Sequence, residues 1–456
     1  EQSFSLPSIA LTFILLAGLY FLFYLLTGSK KLAVVAVFVF FLSAGPGFIN
    51  FFKDLWRNPS FSFLLYPLQD YGRYALYQWY ASNIAVGLLV PQRASLIGVT
   101  LGVWAVIGVL SVTLRDAKPE RSVKIKILVI AGIFAGILPI AHAHSFIAVV
   151  TITGLLCLFH YKKWRLLWYY ILTTGVISSI LYLTFIWGGV ENSSFTQWHP
   201  GFSAQGDFFD WLRMWILLWG VMLPVAAYGL YFFRKSFDRS RWAIYIAGVV
   251  LFAAGNLFYF QPIAWDNSKI FLWAYLIFSA LAALVLGDIW AGRHFSFKTI
   301  AVILFATLTL TGFFELVRLV QTGKHELLMT STDDIQLGLE IRQKTDPFAV
   351  FLTAPSHNHF VMMWGLRPIL MGFTAWVWNY GFNYYPREAD MKKMFLGGDG
   401  TEDLIKKYKI SYVVIGPSEV WDLHANEDYF RAYFPVAFRN SNYRIYDTRT
   451  VWSSPI

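Results

Sequence analysis

Residues 127–160 read ILVIAGIFAGILPIAHAHSFIAVVTITGLLCLFH. The run is apolar except for His142 and His144 at its centre. As one helix it would be about 50 Å long at 1.5 Å per residue, against a hydrocarbon core of roughly 30 Å. Both flanks are basic: Lys124 and Lys126 before it, Lys162, Lys163 and Arg165 after it. A hairpin satisfies both facts. Two short spans cross and return, the basic ends stay in the cytoplasm, and His-Ala-His-Ser sits at the far tip. The chain therefore reads as polytopic, with ionisable groups at its outer membrane face. Such groups are costly there and are functional candidates by default.

Composition agrees. Hydrophobic residues make up 57% of the 456 and charged residues 14%, with a mean hydropathy of +0.52. That excludes an ordinary soluble enzyme and points to a bundle of transmembrane helices. The 19% aromatic content suits interfacial belts or a stacking site. The net charge of +10 falls mostly in short loops, where it orients the chain and calls for no nucleic acid. A single cysteine, Cys157, excludes an intrachain disulfide and a thiolate metal cluster.

About ten spans are expected: 6–26, 31–50, 93–115, 124–141, 145–160, 165–187, 211–233, 242–260, 270–291 and 298–320. The basic clusters at Lys30-Lys31, Arg115 to Lys126, Lys162 to Arg165, Arg234 to Arg241 and Arg293 to Lys298 fall on alternate connections, which assigns them to the cytoplasm. The other side then holds 51–92, the His-Ala-His tip, 188–210, 261–269 and everything after about 321. Residues 1–320 thus form the membrane bundle, and 321–456 an extracytoplasmic α/β domain. The outer loop 51–92 is aromatic and amphipathic, which suits helices lying in the interface or a loop packed on the bundle.

Within 321–456, Asp333–Lys344, Arg387–Phe395, Glu402–Tyr408 and Asp428–Phe434 have helical spacing. AVFLTA at 349–354 and YVVIG at 412–416 read as buried strands, and 438–446 as a closing hairpin. Helices alternating with apolar strands suggest a small open sheet. Glu1 reads as the end of a loop, so a further N-terminal segment is expected before it.

Seven of the nine histidines are assigned to the outer side. His142 and His144, two apart at a turn, are candidate ligands for a divalent metal, or else cap backbone groups. Asp266 and Lys269 in Trp265-Asp-Asn-Ser-Lys269 open a span, so Asp266 either caps a helix or lines a polar cavity with Asn267 and Lys269. Gln92 and Arg93 stand at another span start, where Arg93 is an interfacial anchor or a phosphate ligand. Asp70 is a further outer carboxylate. His357 and Asn358, after a strand end, and Arg367 are candidate ligand contacts. No nucleotide-binding, hydrolase-elbow or zincin motif is present.

The order of an apolar bundle, long outer loops and a last domain reading LIKKYKISYVVIGPSE and YFRAYFPVAFRNSNYRIYDT resembles the GT-C class of integral-membrane glycosyltransferases of bacteria and archaea. Leu89-Val-Pro-Gln-Arg93, Ala141-His-Ala-His144, Trp265-Asp-Asn-Ser-Lys269 and the HNH…WGLRPILMG…WNYGFNYYPRE run are similar to features of uncharacterised multi-spanning proteins that resemble this class. The resemblance implies transfer of a sugar from a polyprenyl-phosphate-type donor to an acceptor at the outer face of a cytoplasmic membrane. It also implies an acidic residue after the first span. This sequence shows no acidic pair there, so either that segment lies in the N-terminal portion expected before Glu1, or Asp70 or Asp266 substitutes, or the protein is inactive. Other classes compatible with the sequence are a non-catalytic membrane subunit that binds a partner through its outer domain, and a lipid-linked glycan polymerase or transporter.

Overall fold

The computed structural model describes residues 2–80, 83–114, 120–187, 196–261, 263–321, 330–379 and 382–452. Part of the basic run that starts at Arg115, part of the loop 188–210, Pro262, and the start of the C-terminal region including His325 lie outside them. The chain divides into two compact units, the first holding 1–187 and 194–324, the second 325–456.

Unit 1 is helical. Its elements are α1 (Gln2–Thr27), α2 (Lys30–Phe41), α3 (Phe48–Arg57), α4 (Ser62–Leu65), α5 (Arg93–Thr113), α6 (Arg121–Ala141) and α7 (Ala143–Phe159), then α8 (Trp164–Phe185), α9 (Phe208–Trp219), α10 (Met222–Phe232), α11 (Arg239–Leu257), α12 (Ser268–Trp290) and α13 (Phe295–Val320). A two-residue ladder joins β1 (Gln197–Trp198) to β2 (Phe258–Tyr259). Among the described residues, seven helices are long and apolar enough to cross a membrane, or eight if α9 and α10 form one broken span. The fold is that of a polytopic helical membrane protein.

Each expected span contains a helix, but three depart from a simple crossing. The span expected at 31–50 holds only the 12-residue α2. At 1.5 Å per residue that is about 18 Å, short of the core. The chain turns at Gly45-Pro46-Gly47 and enters α3 instead. The span expected at 211–233 is bent by 91° between α9 and α10. Gly220 sits at the break with φ +59° and ψ −125°, a conformation that a Cβ would strain. The second arm of the opening hairpin, α7, has 17 residues. Its break from α6 is one residue wide: His142 is extended, at φ −166° and ψ 94°.

The centre of unit 1 is α12. Its hydropathic window is 89% buried, against 17% to 67% for the other candidate spans. A helix apolar all round belongs inside a bundle, and α12 is that helix. Its N-terminal turn is therefore buried too, and the polar residues there need partners from the protein.

Unit 2 is a four-stranded sheet in the order β3-β4-β6-β5. Its strands are β3 (Val350–Leu352), β4 (Ile410–Ile415), β5 (Val436–Arg439) and β6 (Arg444–Asp447). β3 and β4 are parallel, and the other pairs are antiparallel. The helices are α14 (Thr332–Lys344), α15 (Phe360–Met363), α16 (Thr374–Asn379), α17 (Tyr385–Leu396), α18 (Thr401–Tyr408), α19 (Pro417–Trp421) and α20 (Glu427–Tyr433). Alternate residues of β4 feed two cores. Val413 and Ile415 pack with Met391, Met394, Phe395 and Phe430, while Tyr412 and Val414 pack with Leu337, Ile341, Phe360 and Val361. The period of two along a strand buried on both faces builds this layered arrangement.

Candidate functional site

Three segments far apart in sequence meet in unit 1. His142 caps α7: its Nδ1 lies 2.8 Å from Ser145 Oγ and 3.3 Å from the Ser145 N–H. An acceptor at Nδ1 puts the ring proton on Nε2, which lies 3.3 Å from Ser95 Oγ. Ser95 in turn donates to Gln92 Oε1 at 3.2 Å. On the other side, Trp273 Nε1 donates to Ser145 Oγ at 3.1 Å. A directed chain thus runs from α12 through the hairpin tip to the start of α5. Its close packing requires Gly98, because a Cβ there would collide with the His142 side chain.

Next to it lies an ion pair. Lys269 Nζ is 2.7 Å from Asp266 Oδ1, with the two side chains only 12% and 3% exposed. Lys269 also sits 5.5 Å from the centroid of the Trp265 ring. Its charge reaches both His142 and His144. His144 Nε2 is buried and has no hydrogen-bond partner among the described residues. Asp266 lies in a 3-10 turn at Ala264–Asn267, where its carboxylate holds Lys269.

Gln92, His142, His144, Asp266 and Lys269 are therefore gathered at the ends of α5, α7 and α12. Arg93 opens α5 and is exposed. Asn267 holds backbone groups together. Its Nδ2 donates to Gly255 O at 2.9 Å and Phe258 O at 2.6 Å, and its Oδ1 accepts from the Phe260 N–H. The expected metal role of His142 meets a different geometry. Both its ring nitrogens are engaged, and ligating a metal would forfeit one of those bonds. Among the described residues, no group of three or more His, Cys, Asp or Glu is placed to hold a metal ion.

Asp70 belongs to a second polar cluster. Glu315, near the end of α13, is 2% exposed. Its Oε1 accepts from the Tyr71 N–H at 2.7 Å and the Gly72 N–H at 3.4 Å. Asp70 Oδ1 also accepts from the Gly72 N–H, at 3.2 Å, and its carboxyl group faces that of Glu315. Tyr71 OH donates to Asp54 Oδ2 at 3.0 Å. Burial first, and then Asp54, push the Tyr71 hydroxyl up to about 12. Glu315 is not among the residues singled out from sequence, although a signal for it is there: it is a carboxylate inside an otherwise apolar run.

In unit 2, His357 packs against Phe373 and Trp376, at ring distances of 5.1 and 5.7 Å. Asn358 accepts from Ser356 Oγ at 2.6 Å. Arg367, expected to meet a ligand, is instead a clamp. Its Nε donates to Thr345 Oγ1, and its other nitrogens donate to the carbonyls of Arg342, Thr345, Gly365 and Leu366. It ties down the C-terminal end of α14. His359, the second histidine of the same HNH run, places Nε2 3.3 Å from Glu419 Oε1, with both side chains buried.

No protein-family model matches the chain, and no curated protein matches it in sequence. The chain is similar in structure to two solved structures of an oligosaccharyltransferase from Archaeoglobus fulgidus. One is tethered to an acceptor peptide with the sequon NVT; it shows 13% identity, a TM-score of 0.44, and coverage of 97% of this chain and 62% of that one. The other, AglB in complex with an inhibitory peptide and a dolichol-phosphate, shows 13% identity, a TM-score of 0.44, and coverage of 88% and 57%. The chain thus spans about three fifths of the length of these proteins.

Proposed function

We propose that the protein is a membrane glycosyltransferase of the GT-C type, moving a sugar from a polyprenyl-phosphate-type donor to an acceptor at the outer face of the membrane. The observation that carries this reading is the buried Asp266–Lys269 pair, 2.7 Å apart, beside His144, whose Nε2 has no hydrogen-bond partner among the described residues. Burying two charges costs several kcal/mol per ion even when they are paired. Apolar residues would hold the start of α12 as well, and on that ground we assign the pair to chemistry.

The pair supplies both charges that such a transfer needs. The donor phosphate takes Lys269 as its counter-ion, helped by Arg93 and by the His144 ring. Asp266, released from Lys269, becomes the general base. The acceptor oxygen attacks the anomeric carbon and its proton passes to Asp266. The bond from that carbon to the phosphate oxygen breaks, and the lipid phosphate leaves with the electron pair, balanced by Lys269. Asp70, held by the Glu315 cluster, is the second carboxylate to be weighed. Unit 2 lies outside the cytoplasm in this reading, on the acceptor's side.

Transfer from a fluorescent polyprenyl-phosphate sugar tests the assignment. Asp266→Asn should lower turnover by on the order of 100-fold or more, as expected for loss of a general base. Lys269→Met should weaken donor binding, and Asp70→Asn should leave at least a tenth of the activity. Wild-type turnover in Asp266→Asn would remove Asp266 from the chemistry. Loss confined to Asp70→Asn would move the base to the second cluster.

A further inference from the structure

α3 carries a feature that the transfer site does not use. Its inner face is tied into unit 1. Phe51 stacks on Phe314 at 3.7 Å, and Asp54 accepts from Tyr71 OH and from Gln69 Nε2, both at 3.0 Å. Its outer face presents Ile49, Phe52 and Trp56, the last 87% exposed. These residues recur at i, i+3 and i+7, so they form one stripe. Lys53 and Arg57, one turn apart, border the stripe. Together the five residues line a shallow groove of about 320 Å³. Both basic side chains are exposed, and neither forms an ion pair with a described residue. The one carboxylate on the helix is turned to the inner face.

We infer that this groove binds an anionic membrane phospholipid, its phosphate between Lys53 and Arg57 and its acyl chain along Phe52 and Trp56. The arrangement is that of an interfacial helix: an apolar stripe exposed in a protein with seven helices long and apolar enough to cross a bilayer among its described residues, edged by cations at head-group level. Charge decides the lipid class. A zwitterionic head group brings its own cation to two unpaired cations, whereas an anionic one does not. The inference is independent of the transfer reaction, because neither Lys53 nor Arg57 is part of that site.

The test uses the whole chain in nanodiscs of phosphatidylcholine containing lipid brominated on its acyl chains. Quenching of Trp56 is read as the difference between wild type and Trp56→Phe. Brominated phosphatidylglycerol should half-quench Trp56 at a mole fraction lower than brominated phosphatidylcholine requires, by roughly five-fold per basic residue. In Lys53→Gln/Arg57→Gln the two curves should coincide while the unfolding temperature stays unchanged, as expected for surface positions. Equal half-quenching by the two lipids in wild type would overturn the inference. So would a preference for the anionic lipid that survives in the double variant.

Discussion

Glu315 accepts the backbone N–H of Tyr71 at 2.7 Å across 244 residues of chain. With the Gly72 N–H bond to the same oxygen, this contact holds the loop that bears Asp70 against the end of α13. Glu315→Ala leaves the buried Tyr71 N–H without this acceptor, at about 1–3 kcal/mol, while the Gly72 N–H keeps Asp70 Oδ1. Glu315→Gln keeps a carbonyl oxygen at the same place and should cost less. Amide exchange at Tyr71 is the direct readout. It should be fast in the Ala variant and close to wild type in the Gln variant; full protection in both would deny Glu315 this role.

The Asp266–Lys269 pair separates stability from chemistry. Lys269→Met takes the cation away from a buried carboxylate and should destabilise by about 3–5 kcal/mol. Asp266→Leu/Lys269→Met removes both charges and should recover most of the unfolding temperature. It should not recover transfer. A double variant that is both stable and active would show the pair to be structural.

His142 acts as the N-cap of α7. His142→Ala should cost about 1 kcal/mol, and His142→Asn, which keeps a capping acceptor, noticeably less. Because both ring nitrogens are already engaged, added Zn²⁺ should leave the unfolding temperature of the wild type unchanged. A rise that disappears in His142→Asn would support the metal reading.

Unit 2 should be acid-sensitive. Arg444 Nη1 and Tyr446 OH donate to Glu427 Oε1 at 2.6 and 2.9 Å. Burial alone would raise the Glu427 carboxyl, but these bonds outweigh it and hold it below its ordinary value. The Lys407 ammonium holds Asp390 down, and Arg449 holds Asp447 down against the opposing effect of burial. A carboxyl depressed in the folded state adds stability that is present above its unfolded pKa, about 4 here, and lost as pH falls through the folded value. Pulsed amide exchange over 427–447 should therefore show opening that begins below about pH 4. Glu427→Gln should be less stable at pH 7 and lose less on acidification.

Ser441 is exposed in the turn between β5 and β6. With Cys157 replaced by Ala, Ser441→Cys should react with a membrane-impermeant maleimide in intact cells. Labelling only after permeabilisation would put unit 2 in the cytoplasm and withdraw the outer-face assignment.

Most helices of the bundle, the strands of unit 2 and the helix break at His142 were legible because each is coded locally. An apolar run of bilayer length, or alternation with period two, carries its own reading. The break at Gly220 was not legible, since a run that is apolar throughout looks the same whether straight or bent by 91°. The short α2 was missed for the same reason. Its continuation, Phe48–Arg57, keeps enough apolar residues to extend the pattern while turning to a different face.

The site divides in the same way. That Asp266, Lys269, His142 and Gln92 are unusual was visible in sequence, because charge and imidazole are costly among apolar residues. What each one touches was not. Arg367 and Asn267 looked like ligand contacts, and the fold uses them on backbone carbonyls. Glu315 looked like part of a span, and it organises a loop 244 residues away. Hydrophobic pattern depends on residue type and spacing along the chain, so the sequence alone determined a membrane bundle followed by an α/β unit. Partnership depends on which chain ends the packing brings within about 3 Å, the reach of a hydrogen bond. Only the tertiary structure decided that the Asp266–Lys269 pair lies beside His144, and that Arg367 is already occupied.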